Sequence, residues 1–151
     1  MNQQPLFPEP ARSAPVPTAH IDGGARGNPG PAAYGVLIST PEGKTVELAE
    51  YLGHQTNNFA EYSGLLAALE YALQQNFIGL KIFSDSELLV KQMTGEYRVK
   101  HPALKTLYTR AREMARRLQR FSIHHVLRSH NQHADRLVNK VLDDEARKRT
   151  R

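Results

Sequence analysis

A chain of 151 residues with 40% hydrophobic content is long enough for one domain with its own apolar core. No run approaches the roughly 18 apolar residues that cross a bilayer, so no membrane association is expected, and the absence of Cys excludes a disulfide framework, a thiolate metal site and a Cys nucleophile. The net charge of +5 is unevenly placed: residues 1–75 carry three basic against seven acidic side chains, residues 76–151 seventeen against eight. That asymmetry suits a polyanionic partner, and equally a solvated basic helix surface.

Residues 1–18 are rich in Pro, Gln and Ala, show no periodicity and lack the apolar stretch of a secretory leader. A disordered tail and a cytoplasmic protein are expected. Ala19–Asp22 predicts a short strand ended by Gly23-Gly24, and residues 23–31 are turn material. Ala33–Ser39 predicts a strand, Thr40–Gly43 a hairpin connection and Thr45–Leu52 the returning strand. Thr56-Asn57-Asn58 offers N-cap residues, and Glu61 follows Asn58 at the spacing of a capping box. Leu65, Leu66, Leu69, Ala72 and Leu73 then recur at helical intervals.

Leu80–Ser84 predicts a short apolar strand and Ser86–Met93 a helix. After a loop over Thr94–His101, Pro102 opens a helix expected to reach Arg120. Ser122–Leu127 predicts a fifth strand, Asn131–Arg147 a last helix, and residues 148–151 a basic tail. The order β-β-β-α-β-α-α-β-α implies an α/β fold over residues 19–147, a five-stranded mixed sheet with helices packed on it.

Four acids stand at informative places. Asp22 ends the first strand, Glu61 lies at the start of the first long helix, Asp85 ends the fourth strand, and Asp135 lies at the start of the last helix. Strand ends and helix starts converge at one end of an open sheet. Alone, each acid has an ordinary use as turn former, capping residue or partner of a helix dipole. Together they would repel strongly unless a cation neutralised them. Oxygen ligands without a His or Cys cluster suit Mg²⁺ or Mn²⁺, and two such ions are the usual device for in-line phosphodiester chemistry. Neither G-x-G-x-x-G nor G-x-x-x-x-G-K-[ST] occurs, so nucleotide-cofactor binding has no support.

Four segments resemble, in order, the motifs of the type 1 ribonuclease H family. They are Asp22-Gly-Gly-Ala-Arg-Gly-Asn-Pro-Gly-Pro31 with Tyr34-Gly35-Val36, Thr56-Asn57-Asn58-Phe59-Ala60-Glu61, Ser84-Asp85-Ser86 with Leu89-Val90, and Asn131-Gln-His-Ala-Asp135. The resemblance spans residues 20–140 and implies a ribonuclease H-like fold. It implies a metal-dependent endonuclease that cuts the RNA strand of an RNA–DNA hybrid duplex, leaving 5′-phosphate and 3′-hydroxyl ends. Asp22, Glu61, Asp85 and Asp135 would hold two Mg²⁺ ions, with Mn²⁺ as substitute and Asp22 bridging both. Asn28, Asn57 and Asn58 match positions that contact the nucleic-acid strands, 2′-hydroxyls included, and Thr56 matches a position in a pocket for DNA phosphate.

The chain also departs from the family pattern. The basic extension that many members carry between two central helices is reduced to a short stretch with Arg98 and Lys100. In its place the helix from Pro102 is itself basic. Arg112 and Arg116 share one face, which either holds phosphates or is simply solvated. The loop that carries a His before the last motif is shortened, leaving His130 as a stand-in, with Arg128 and then His133 as further candidates. This layout resembles compact variants, some of which also cut RNA–RNA duplexes, so double-stranded RNA is a second candidate substrate. A noncatalytic hybrid-binding module and a DNA-processing nuclease of the same fold are the alternatives. A monomer is the default expectation.

Overall fold

The computed structural model describes residues 14–150. Its elements are β1 (Thr18–Ala25), β2 (Gly30–Ser39), β3 (Thr45–Gln55), α1 (Asn57–Gln74), β4 (Gly79–Ser84), α2 (Glu87–Met93), α3 (Pro102–Arg116), β5 (Arg120–His125) and α4 (Gln132–Arg149), with one 3₁₀ turn over Arg128–His130. The sheet order is β3-β2-β1-β4-β5. β1 pairs antiparallel with β2 and parallel with β4, so the sheet is mixed, as the element order implied.

Alternation along the strands divides the side chains between two faces. Ala19, Ile21, Val36, Ile38, Leu80 and Ile82 are fully buried and pack with α1, α2 and α3 into the main core. The opposite face packs Ala33 and Tyr51 against Val138 and Leu142 of α4. Gly35 permits that contact, because a Cβ there would lie 2.6 Å from the Ala134 carbonyl oxygen. No helix among the described residues is long and apolar enough to cross a membrane.

Several boundaries differ from the sequence expectation. Of the tail expected over residues 1–18, residues 1–13 lie outside the described residues. Pro17 lies beside β4, its carbonyl accepting from the Lys81 N–H at 3.0 Å, and Thr18 already belongs to β1. β1 runs on through Gly23 and Gly24, which pair with Tyr34 and Ala33, so the turn shrinks to residues 26–29. The helix expected to reach Arg120 ends at Arg116. Leu118 turns into the core and the N–H groups of Gln119 and Arg120 pair with the Ile78 carbonyl, so the sheet takes the backbone and β5 begins two residues early. At the other end α4 continues through Lys148 to Arg149, and Arg149 Nη2 donates to the Tyr51 hydroxyl at 2.7 Å; the basic tail expected from residue 148 is largely helix.

One close approach presses α1 onto the end of β1. A Cβ on Gly23 would lie 2.3 Å from the Ala60 carbonyl carbon and 2.5 Å from the Glu61 nitrogen. Backbone meets backbone there, and no flexible side chain can give way. Gly23→Ala is therefore expected to lower stability by at least about 1–3 kcal/mol, the usual cost of overpacking, read as a shift of the urea midpoint at constant slope.

Candidate metal centre

β1 and β4 lie side by side and parallel, with Ile21 opposite Ser84. The next residue on each strand path is an acid, so Asp22 and Asp85 emerge as neighbours. Two local devices leave the carboxylates of Asp85 and Glu61 unspent. Ser86 caps α2, its hydroxyl accepting from the Leu89 N–H at 3.2 Å, which frees Asp85 from the capping role. Thr56 caps α1 by accepting from the Phe59 N–H at 3.1 Å. The capping box expected from Asn58 and Glu61 does not form, because the helix starts two residues earlier than that pairing requires. Glu61 instead reaches past Gly23 toward Asp22.

Asp22, Glu61 and Asp85 each offer a carboxylate oxygen, and the three atoms lie within 4.8 Å of one another. Asp22 is only 8% exposed, and Glu61 Oε2 is buried with no hydrogen-bond partner. Burial first, and then the charges of Asp85 and Asp135, push the Asp22 carboxyl up to about 8. Burial and the charges of Asp22 and Asp85 raise Glu61 well above the usual carboxylate range, against the pull of the Gly23 N–H and Arg128. Converging acids, one with an unsatisfied buried oxygen, fit a hard divalent cation as the missing partner.

Asp135 enters from α4. Asn131, 1% exposed, donates through Nδ2 to the Ile21 carbonyl at 2.8 Å, and its own carbonyl accepts from the Asp135 N–H at 3.2 Å. The start of α4 is thus tied to the residue before Asp22. Asp135 lines the same cleft, of about 360 Å³, but stands outside the group of three.

The glycine-rich turn is fastened to α1 by two reciprocal bonds. Asn28 Oδ1 accepts from the Asn57 N–H at 3.0 Å, and Asn57 Oδ1 accepts from the Ala25 N–H at 2.7 Å. Both amide oxygens are committed to backbone, so what these side chains offer a ligand is their NH₂ donors. Asn58 is exposed and lines the cleft, while Thr56, also exposed, spends its hydroxyl on the cap.

The other candidates separate. Arg128 lines the cleft, whereas His130 is exposed in the 3₁₀ turn and does not. His133 is paired with Glu47 of β3. Arg112 donates to the Met93 carbonyl at 2.9 Å and is partly buried, while Arg116 on the same helix is exposed. Among the polar cleft residues, Arg26 and Asn139 were not expected from the sequence. Asn139 carries a signal, since it lies one helical turn after Asp135; Arg26, in the middle of turn residues, carries none.

The same arrangement of strands and acids occurs in proteins of known structure. The crystal structure of the ribonuclease H1 of Halobacterium salinarum superposes with a TM-score of 0.81 at 43% identity, covering 85% of this chain and 98% of that one. A family profile described as reverse transcriptase-like matches residues 20–141. The chain belongs to the type 1 ribonuclease H family. A second ribonuclease H1 of this family, solved in complex with an RNA/DNA hybrid, matches with a TM-score of 0.80 at 39% identity, over 86% of this chain and 99% of that one. A bifunctional protein of Mycobacterium tuberculosis is 44% identical over 124 residues; the alignment covers 81% of this chain and 34% of that protein, so this chain matches about a third of that relative's length.

In this ribonuclease H domain the acid cluster makes the metal-free fold dependent on pH in a definite sense. Asp22 holds its proton in the folded state up to about 8 and would lose it near 4 when unfolded. Between those values the folded state binds more protons, so stability falls as pH rises. In EDTA, Asp22→Asn is expected to melt higher than the native protein, with the gap widening from pH 5 to pH 8. Calorimetry over that range checks it, and a gap that stays constant or narrows would contradict the raised carboxyl.

Proposed function

We propose that this chain is a metal-dependent endoribonuclease that cuts the RNA strand of an RNA–DNA hybrid. The observation that carries the proposal is the convergence of Asp22, Glu61 and Asp85 around a buried oxygen without a partner. A module that only bound nucleic acid would gain nothing from uncompensated carboxylates beside a phosphate backbone.

Asp22, Glu61, Asp85 and Asp135 would hold two Mg²⁺ ions, or Mn²⁺ in their place. When bound, such ions would supply Lewis-acid activation of a water and neutralisation of charge at the scissile phosphate, chemistry that would leave 5′-phosphate and 3′-hydroxyl ends. The protein's own part is orientation. Asn28 and Asn57 present NH₂ donors to acceptors in a shallow minor groove, base edges and 2′-hydroxyls among them. Asn58 adds a contact beside them, and Thr56 offers backbone and methyl at the margin where a DNA phosphate would sit. Arg128 reaches into the cleft and, in place of His130, is suited to hold a phosphate oxygen near the acids. Arg116, and less so the committed Arg112, would meet phosphates outside the cleft.

A labelled RNA–DNA hybrid should be cut only in its RNA strand, with Mg²⁺ or Mn²⁺ and not with EDTA. Asp85→Asn should lower the rate by at least about 1,000-fold, as expected when several kcal/mol of transition-state stabilisation is lost. RNA–RNA and DNA–DNA duplexes run beside it define the substrate range. Absence of cutting by folded protein that still binds the hybrid would leave the binding-module reading standing.

Three single variants separate the outer roles. Arg128→Ala should lower kcat by at least about tenfold and by more than His130→Ala does. Arg116→Ala should instead leave kcat unchanged and reduce the salt slope of hybrid affinity by about one. A larger loss from His130→Ala would return the catalytic role to that residue.

A further inference from the structure

We propose that Arg26 is a positioning residue: it clasps the glycine-rich turn to α4 and, through Asn139, sets the carboxylate of Asp135. The proposal rests on the metal-dependent reading above and adds to it a residue that touches neither ion nor substrate. Asp135, Asn139 and Asp143 follow at intervals of four and form one stripe along α4. Arg26 crosses to that stripe from the turn. Its Nη2 lies 2.7 Å from Asp143 Oδ1 and 3.4 Å from Asn139 Oδ1, and Asn139 Nδ2 donates to Asp135 Oδ2 at 3.3 Å.

The amide of Asn139 has one orientation that satisfies both neighbours. A guanidinium can only donate and an ionised carboxylate can only accept, so the oxygen must face Arg26 and the NH₂ must face Asp135. Removing Arg26 removes the reason for that orientation. Asp143 has its own place in the clasp. It neutralises Arg26, so what reaches Asp135 is a hydrogen bond from a neutral amide and not a cation competing for the carboxylate.

Asp135 needs such support more than the other three acids. Asp22 is buried in a paired strand, Asp85 follows directly on one, and Glu61 sits in a helix pressed against Gly23. Asp135 stands outside their group and lies against the Asp22 carboxyl, another acid, while the Asn139 amide donates to it. The clasp adds little to global stability, because the Arg26–Asp143 pair is solvent-exposed on both sides. Its backbone is nevertheless well placed: the Arg26 N–H donates to the Pro31 carbonyl at 2.9 Å, which closes the turn beneath the side chain.

The test is Mn²⁺ binding by calorimetry without nucleic acid, joined to steady-state cleavage, on the native chain, Arg26→Gln, Asn139→Leu and the double variant. Each single variant should weaken the weaker Mn²⁺ site by about tenfold, the low end for loss of a group that orients a metal ligand. kcat should fall with it while KM for the hybrid stays within about twofold. The double variant should be no worse than either single one, because both break the same relay. Melting in EDTA should change by no more than about 4 °C, as for an exposed pair.

A raised KM with unchanged Mn²⁺ affinity would overturn the proposal and make Arg26 a substrate contact. Additive losses, or none, would overturn it as well. A native chain that bound no Mn²⁺ would bring down the metal-dependent reading itself and the clasp with it. Native binding with unaffected variants would remove the clasp alone.

Discussion

Repulsion among carboxylates is the constraint on which the rest of this structure depends. Three acids whose oxygens lie within 4.8 Å of one another, partly removed from water, are a cost to the fold until something positive joins them. The scaffold answers by making the cluster hard to dissolve. Asp22 sits inside a strand hydrogen-bonded on both sides, and Asp85 follows the neighbouring parallel strand at the same level. Asp22 cannot swing away without breaking the sheet. Glu61 is delivered by a helix whose first turns press on Gly23 so closely that no side chain fits between them.

Small polar residues keep the acids free for this use. Thr56 and Ser86 take the helix caps that Glu61 and Asp85 could otherwise have filled. Asn131 ties α4 to the Ile21 carbonyl and so ties the fourth acid to the first. Asn28 and Asn57 knit the glycine-rich turn to α1 with their oxygens and leave their NH₂ groups over. The glycine-rich turn and the acid cluster are therefore one construction. The same backbone bonds that hold the turn also orient the donors beside the acids, and a 1 Å slip in either would be felt in both.

Much of this was legible in the residues. The order of strands and helices and the mixed sheet follow from periodicity, turn residues and ordered motifs, and the same motifs single out the four acids, although Asp22 stands inside β1 and not at its end. Boundaries were less legible where tertiary pairing overrode local preference. Gly23 and Gly24 look like turn formers, yet they are strand because Tyr34 and Ala33 pair with them. The stretch after Arg116 keeps a helical composition, yet the Ile78 carbonyl draws Gln119 and Arg120 into the sheet. Glu61 matched a capping box by spacing alone, and only the position of the Thr56 cap shows that the carboxylate is directed elsewhere.

By itself the sequence determined which chemistry was available: hard oxygen donors, no thiols, a basic second half, and acids placed where an open sheet gathers them. It could do so because residue type and spacing along a strand or helix are local properties. Only the tertiary structure decided which charged groups meet. Arg128 enters the cleft while His130, two residues on, does not. Arg26 reaches Asp143 and Asn139, which lie more than a hundred residues away in the chain. Such encounters depend on how a turn and a helix from opposite ends of the chain are packed on one sheet, and no pattern in either segment alone encodes that distance.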